Sequence, residues 1–173
     1  MLPAMIASTF LVFATILIHY EALRFTSDYL RHLRIPPRPR ILVVICAVFG
    51  AHTVEVWLYA FAYWASIELF DLGGFGGQPV AGFEDSLYFS AVTYTSLGLG
   101  DYYPTRALRL IAGVEALNGL LLIAWSASFT YLVMEAYWPL HRRRHLHQRQ
   151  PHHHPAAEKV EEQPLGITAK ARP

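Results

Sequence analysis

The sequence is poor in cysteine, in charge and in any excess of one sign of charge. Its single cysteine, Cys46, excludes an intrachain disulfide. Set inside an apolar run, Cys46 is expected to be a small buried hydrophobe. Charged residues make up 16% of the chain and the net charge is only +1, so no basic field points to nucleic acid. The N-terminus lacks a charged leader region and an A-x-A-like cleavage site, which argues for a retained helix over a removed signal peptide. No internal repeat is present, so one subunit carries one copy of any motif.

What the chain has is long apolar runs. It is 173 residues long and 54% hydrophobic, with mean hydropathy +0.28. That length suits one domain, and the blockwise distribution is that of a membrane protein. Leu2 to Ile18 is apolar except for Ser8, Thr9 and Thr15, and is about long enough to span a bilayer. Pro3 is tolerated in its first turn. Ile41 to Phe70 carries charge only at Glu55 and Glu68. As one helix it would be about 45 Å long and would cross with tilt. Leu110 to Val133 is interrupted only by Glu115 and a few small polar residues. The expected fold is therefore all-α, with three transmembrane helices.

Basic residues set the expected orientation in the cell membrane. Arg24, Arg31, Arg34, Arg38 and Arg40 lie between the first two runs, and Arg142, Arg143 and Arg144 follow the third. Both segments belong on the cytoplasmic side of a three-span protein. Arg106 and Arg109 oppose this but are outnumbered. Arg142 to Arg144 are placed at anionic lipid headgroups. The tail is rich in Pro, Glu and His without helical period, and is expected to be disordered. Its histidines (His141, His145, His147, His152, His153 and His154) are candidate Zn²⁺ or Ni²⁺ ligands, with a solvated low-complexity tail as the simpler reading.

A short polar stretch, "TYTSLGLGDYYP" from Thr93 to Pro104, sits just before the third run and enters from the outside. "EDSLYFSAVTYT", Glu84 to Thr95, reads as a helix too short to span, with acidic residues complementing its N-terminal dipole. The backbone after it is then non-helical at membrane depth, which is tolerated only inside protein or along a water-filled path. Gly98 and Gly100 permit backbone conformations that side chains forbid. Alternating with Leu97 and Leu99, they would aim successive carbonyls at one axis, as in filters that replace the hydration shell of K⁺. One strand makes no ring, so a symmetric oligomer is required.

This segment resembles the pore loop of the potassium channel superfamily, whose common form is T-V-G-Y-G-D. Ser96, Leu97, Gly98, Leu99, Gly100 and Asp101 match that hexapeptide, and Pro104 matches a proline often found shortly after. The G-L-G-D form looks most like the second pore loops of some two-pore-domain potassium channels. The resemblance implies a homotetramer passing K⁺, coordinated at Ser96, Leu97, Gly98 and Leu99, with Phe89, Thr93 and Thr95 on the pore helix. Ser96 keeps the hydroxyl of the usual Thr. Leu99 replaces the usual Tyr, and Phe89 stands where many members have Trp, leaving apolar contact where a hydroxyl would brace the filter.

"EALNGLLLIAWSASFTYLV" resembles the inner helix of prokaryotic inward-rectifier potassium channels. Glu115 and Gly119 match a Glu-x-x-x-Gly pattern with the glycine at a hinge. Ile123, Ala127 and Tyr131 follow on one face, which lines the pore in that family, with Tyr131 closing the cytoplasmic end or serving as an interfacial aromatic. The large cytoplasmic domain of that family is missing. So are arginines at three-residue spacing, which excludes a voltage sensor of the usual kind.

The expected division is 1–34, first helix and cytoplasmic extension; 35–40, a proline/arginine linker; 41–138, the pore module; and 139–173, the basic, histidine-rich tail. Within the module the outer helix is 41–70, the pore helix 84–95, the filter 96–101 and the inner helix 107–138. Ionisable residues inside the membrane are functional candidates. His52 and Glu55 share a helix face, and with His19 they form either a proton-sensitive cluster or a neutral structural lock. H-x-x-E is also a spacing that metal ligands use, but the sequence shows no evident third ligand. Glu115 is expected to brace the pore helix. No enzyme chemistry can be assembled and no cofactor is implied beyond the permeant K⁺. The alternatives are a weakly selective cation channel and, from another class, a membrane enzyme or metal-binding protein built on His19, His52, Glu55 and the tail histidines.

Overall fold

A computed structural model of the chain describes residues 1–78 and 82–137, without the side chains of Pro37 and Arg38. The tail, with Arg142, Arg143, Arg144 and its histidines, lies outside the described residues. The elements run α1 (Leu2–His32), α2 (Pro37–Glu68), β1 (Phe75–Gly76), α3 (Phe83–Tyr94), β2 (Tyr103–Pro104) and α4 (Leu108–Tyr137). Helices α1, α2 and α4 are each long and apolar enough to cross a membrane, so the chain is an all-α membrane protein with three spans.

Helix α1 runs well past the expected apolar span, Leu2 to Ile18. No glycine or proline interrupts residues 4 to 35, so nothing stops the helix until Leu33 turns extended ahead of the prolines. At about 1.5 Å per residue, its 31 residues reach about 46 Å, beyond the roughly 30 Å of hydrocarbon. The expected linker 35–40 shrinks. Helix α2 starts at Pro37, because proline at the first helical position fits the helix and lacks an amide that would be unbonded there. Arg40 is therefore helical. Its guanidinium donates to the carbonyls of Ile35 (3.2 Å) and Leu33 (2.9 Å), closing the turn from α1. Helix α2 ends at Glu68, short of the expected Phe70, where Asp71 takes a left-handed φ of 46°.

The packing is inverted relative to a water-soluble bundle. The buried face of α1 is Ala4, Ser8, Leu11, Thr15, His19, Leu23, Thr26 and Leu30, a stripe at helical spacing of which half is polar. Its outward face carries Phe10, Phe13, Leu17 and Phe25, all exposed. Lipid contact leaves no penalty for outward apolar groups, while polar groups have to find partners inside. Ser8, Thr15 and Thr26 accordingly bond back to the carbonyls of Ala4, Leu11 and Ala22. No buried side-chain polar atom is left unpaired among the described residues. Cys46, expected inside, is exposed, because it lies on the outward side of α2, where an apolar thiol needs no cover.

Candidate functional site

The short helix α3 sits against α2 and α4 with Glu84 and Asp85 in its first turn. Its other end is closed by two backbone bonds: Leu97 N–H to Val92 C=O (3.0 Å) and Ser96 N–H to Thr93 C=O (2.9 Å). These are the paired bonds of a Schellman cap, with Ser96 in the left-handed position that glycine usually fills. From there the handedness alternates. Ser96 (φ 57°), Gly98 (φ 57°) and Gly100 (φ 81°) are left-handed, while Leu97 and Leu99 are not. The strand from Thr95 to Gly100 is exposed in the single subunit, Leu97 and Leu99 included.

A polar frame holds the Asp101 end of this strand. The Tyr88 hydroxyl donates to Asp101 Oδ2 at 2.7 Å. The Tyr102 hydroxyl donates to Asp85 Oδ1 at 2.9 Å, and the Tyr102 amide to Asp101 Oδ1 at 3.1 Å. The carboxylate partner pushes the Tyr102 phenol above its ordinary range, since ionising it would set two anions side by side. Strand β1 pairs antiparallel with β2, Phe75 opposite Pro104 and Gly76 opposite Tyr103. Thr105 secures the same junction, exchanging bonds with the Gly74 amide and carbonyl. Phe89 points away from the strand into a ring cluster with Tyr63 and Phe75. The hydroxyl brace that Phe89 and Leu99 cannot supply comes instead from Tyr88, one residue earlier.

Behind the strand, buried polar side chains tie the elements together. Glu115 on α4 accepts from Ser90 on α3 (2.6 Å) and from Tyr63 on α2. Ser90 also lies 2.9 Å from the Val56 carbonyl. Asn118 donates to Thr15 on α1 (2.8 Å) and to Tyr59 on α2 (3.3 Å). Gly119 is buried against the end of α3, and a Cβ there would collide with the Tyr94 carbonyl oxygen. The glycine is thus a point of close approach, inside the unbroken helix α4, and it does not share the exposed face of Ile123, Ala127 and Tyr131.

His19, His52 and Glu55 come together from α1 and α2, 36 residues apart at the His19–Glu55 contact. His19 Nδ1 lies 2.9 Å from Glu55 Oε1, and His52 Nδ1 lies 3.1 Å from Glu55 Oε2. The other ring nitrogen of each histidine, Nε2, lies 3.0 Å from Ser126 Oγ on α4. Tyr94, at the C-terminal end of α3, donates to Glu55 Oε2 and lies 2.8 Å from His52 Nδ1. The third donor that the H-x-x-E spacing alone lacked is His19.

Of the residues expected on the pore helix, Thr95 bonds back to the Ala91 carbonyl at 2.8 Å, Thr93 is half-buried and Phe89 is turned to α2. The sequence reading missed Tyr88, Ser90, Tyr94, Asn118 and Ser126. For Tyr88 and Ser90 a signal existed: both lie on a short helix one face of which had to be polar. Tyr94 lies on the same helix, but its phenyl ring reads as apolar in the sequence, and Asn118 and Ser126 sit singly in an apolar run. A family model described as an ion channel matches residues 41–135, more than half of the chain. No curated protein and no solved structure matches significantly.

Proposed function

The chain belongs to the ion-channel family, as a pore-loop protein of the potassium channel superfamily, and from that premise we propose that it conducts K⁺ passively through a tetrameric filter. The observation that carries this reading is the alternating handedness of Ser96, Gly98 and Gly100. In a strand of alternating hand, successive carbonyls can point to one side while the intervening side chains point to the other. Four such strands around an axis supply the oxygen rings that substitute for water around K⁺.

In this reading Ser96 contributes its hydroxyl and carbonyl, and Leu97, Gly98 and Leu99 contribute carbonyls. Gly100 continues the alternation, and Asp101 holds the outer end through Tyr88. The C-terminal, negative end of α3 faces the inner end of the filter, where a cation is favoured. Ile123, Ala127 and Tyr131, exposed on one face of α4, line the inner path, with Tyr131 at its narrow end. The loop opens to the outside and the basic tail lies in the cytoplasm, on the arginine distribution. A weakly selective cation channel is the second reading, favoured by one feature: Leu99 offers no hydroxyl to brace the filter from within.

The test is ion flux from liposomes reconstituted with the full chain, together with the mass of the crosslinked assembly. The reading expects a four-subunit species and K⁺ flux far above Na⁺ flux. Equal fluxes of the two ions would favour the second reading, and a monomer without flux would exclude both.

A further inference from the structure

We propose that His19, His52 and Glu55 form an intramembrane site for a divalent transition cation of the zinc class, which fastens α1 to the pore module. One donor atom from each of the three lies within 4.8 Å of the other two. Side-chain exposure is nil for His19 and Glu55 and 17% for His52. Two imidazoles and a carboxylate are a donor set that zinc takes, and imidazole is preferred by this class of metal over hard cations such as Mg²⁺.

Hydrogen counting around the cluster supports a cation. Both Nε2 atoms lie 3.0 Å from Ser126 Oγ, and Ser126 has one hydroxyl hydrogen to give. It can donate to one imidazole at most, so the other must donate its N–H to Ser126. That second ring, if neutral, then presents a bare Nδ1 lone pair to Glu55. For His19 the opposing atom is Oε1 at 2.9 Å, with no other donor at that oxygen among the described residues. For His52 it is Oε2 at 3.1 Å, and the single Tyr94 hydrogen serves either atom but not both. With Glu55 ionised and both rings neutral, every arrangement therefore sets lone pair against lone pair in a buried place. A positive centre between the Nδ1 atoms and the carboxylate removes the conflict.

The surroundings already have the form that a bound metal needs. Metal-ligating histidines are oriented by a partner on the opposite ring nitrogen, and here one hydroxyl, Ser126, takes both. With Nε2 held in this way, Nδ1 is the atom left for the metal on each ring. Ligand atoms about 2.0–2.1 Å from a shared tetrahedral ion lie about 3.3 Å apart. The 2.9 and 3.1 Å pairs run to the two oxygens of one carboxylate, and a shift on the order of an ångström within the 4.8 Å donor set brings the two rings and Glu55 around one ion. The Tyr94 oxygen, bonded to the same carboxylate, is the nearest further donor. The five residues come from α1, α2, α3 and α4, so one ion would join every helix at the level of the inner end of the filter.

The experiment measures zinc content by mass spectrometry after zinc loading and desalting of the purified full-length protein. The tail histidines are silenced first, with His141, His145, His147, His152, His153 and His154 all changed to glutamine. This variant is expected to keep one zinc per subunit and to melt at a higher temperature with zinc than after chelator treatment. Adding His19→Gln or Glu55→Gln is expected to lower retained zinc at least tenfold. A tail-silenced protein that retains no zinc and melts at the same temperature with and without it overturns the proposal. So does equal zinc in the parent tail-silenced chain and either folded cluster variant. No flux is read, so failure here leaves the channel reading untouched, and failure of that reading leaves this one standing.

Discussion

Gly119→Ala separates two roles that a glycine in the inner helix can play. As a hinge, the residue matters for how α4 bends; as a contact, it matters for where α3 sits. The new Cβ would collide with the Tyr94 carbonyl oxygen and would lie 3.0 Å from its carbonyl carbon and 3.1 Å from Cγ. The obstacle is backbone, so a rotamer change cannot relieve it, and α3 or α4 has to move. Overpacking of this kind costs about 1–3 kcal/mol, while alanine gains about 1 kcal/mol over glycine in a helix. The net loss of stability is on the order of 1 kcal/mol. Function should suffer more, because Tyr94 lies two residues from Ser96 and shares its cap with the filter strand. Gly113→Ala is the control: it lies in the same helix with no atom within 4 Å of its added Cβ, so only the propensity gain applies. The assay is the K⁺ to Na⁺ flux ratio in liposomes, read beside a melting curve. The expected result is a collapsed ratio for Gly119→Ala, a small fall in melting temperature, and a parental ratio for Gly113→Ala. Altered flux with an unchanged ratio would refute the contact role and return the residue to a hinge.

Three further outcomes are expected. Gly98→Ala should abolish selective K⁺ flux while the protein still inserts, since nothing obstructs its Cβ and the cost is the left-handed φ of 57°, about 1–2 kcal/mol per subunit; selective flux at the parental level counts against the filter assignment. Tyr88→Phe removes the 2.7 Å bond to Asp101 and should lower the flux ratio with the protein still inserted; a parental ratio would show that the bond does not hold the filter. Tyr131→Ala should raise basal K⁺ flux with the ion preference unchanged, as four rings closing the inner path by dewetting would require; parental flux under every condition tried moves the gate elsewhere.

The three spans, the short helix and the irregular strand after it were legible because each rests on local pattern: apolar run length, acidic first turn and alternating glycines. Glu115 was legible as a brace because an unpaired carboxylate cannot be left in the membrane. Helix ends were not, since prolines at 36, 37 and 39 read as a linker although the first turn of a helix accepts them. Cys46 was misplaced because burial was inferred from hydrophobicity. In a membrane chain, hydrophobicity marks the outside as well as the inside.

That last error explains the rest of what the sequence concealed. In a water-soluble protein the apolar pattern points to the core, and polar residues mark the surface. Here Phe10, Phe13, Phe49 and Phe61 face outward, while the interior is organised by Ser90, Tyr63 and Glu115, by Asn118, Thr15 and Tyr59, and by His19, His52, Glu55, Tyr94 and Ser126. Tyrosines in these sets count as apolar in a hydropathy profile, yet act through their hydroxyls. Their partners lie 39 to 59 residues away, so no local window pairs them. Association of helices inside lipid gains nothing from excluding water, and depends on close approach and on polar contacts. The polar minority of each span is thus where the tertiary fold is written. The same residues stand behind the strand from Ser96 to Gly100, so the contacts that assemble the helices also back the segment to which the proposed conduction is assigned.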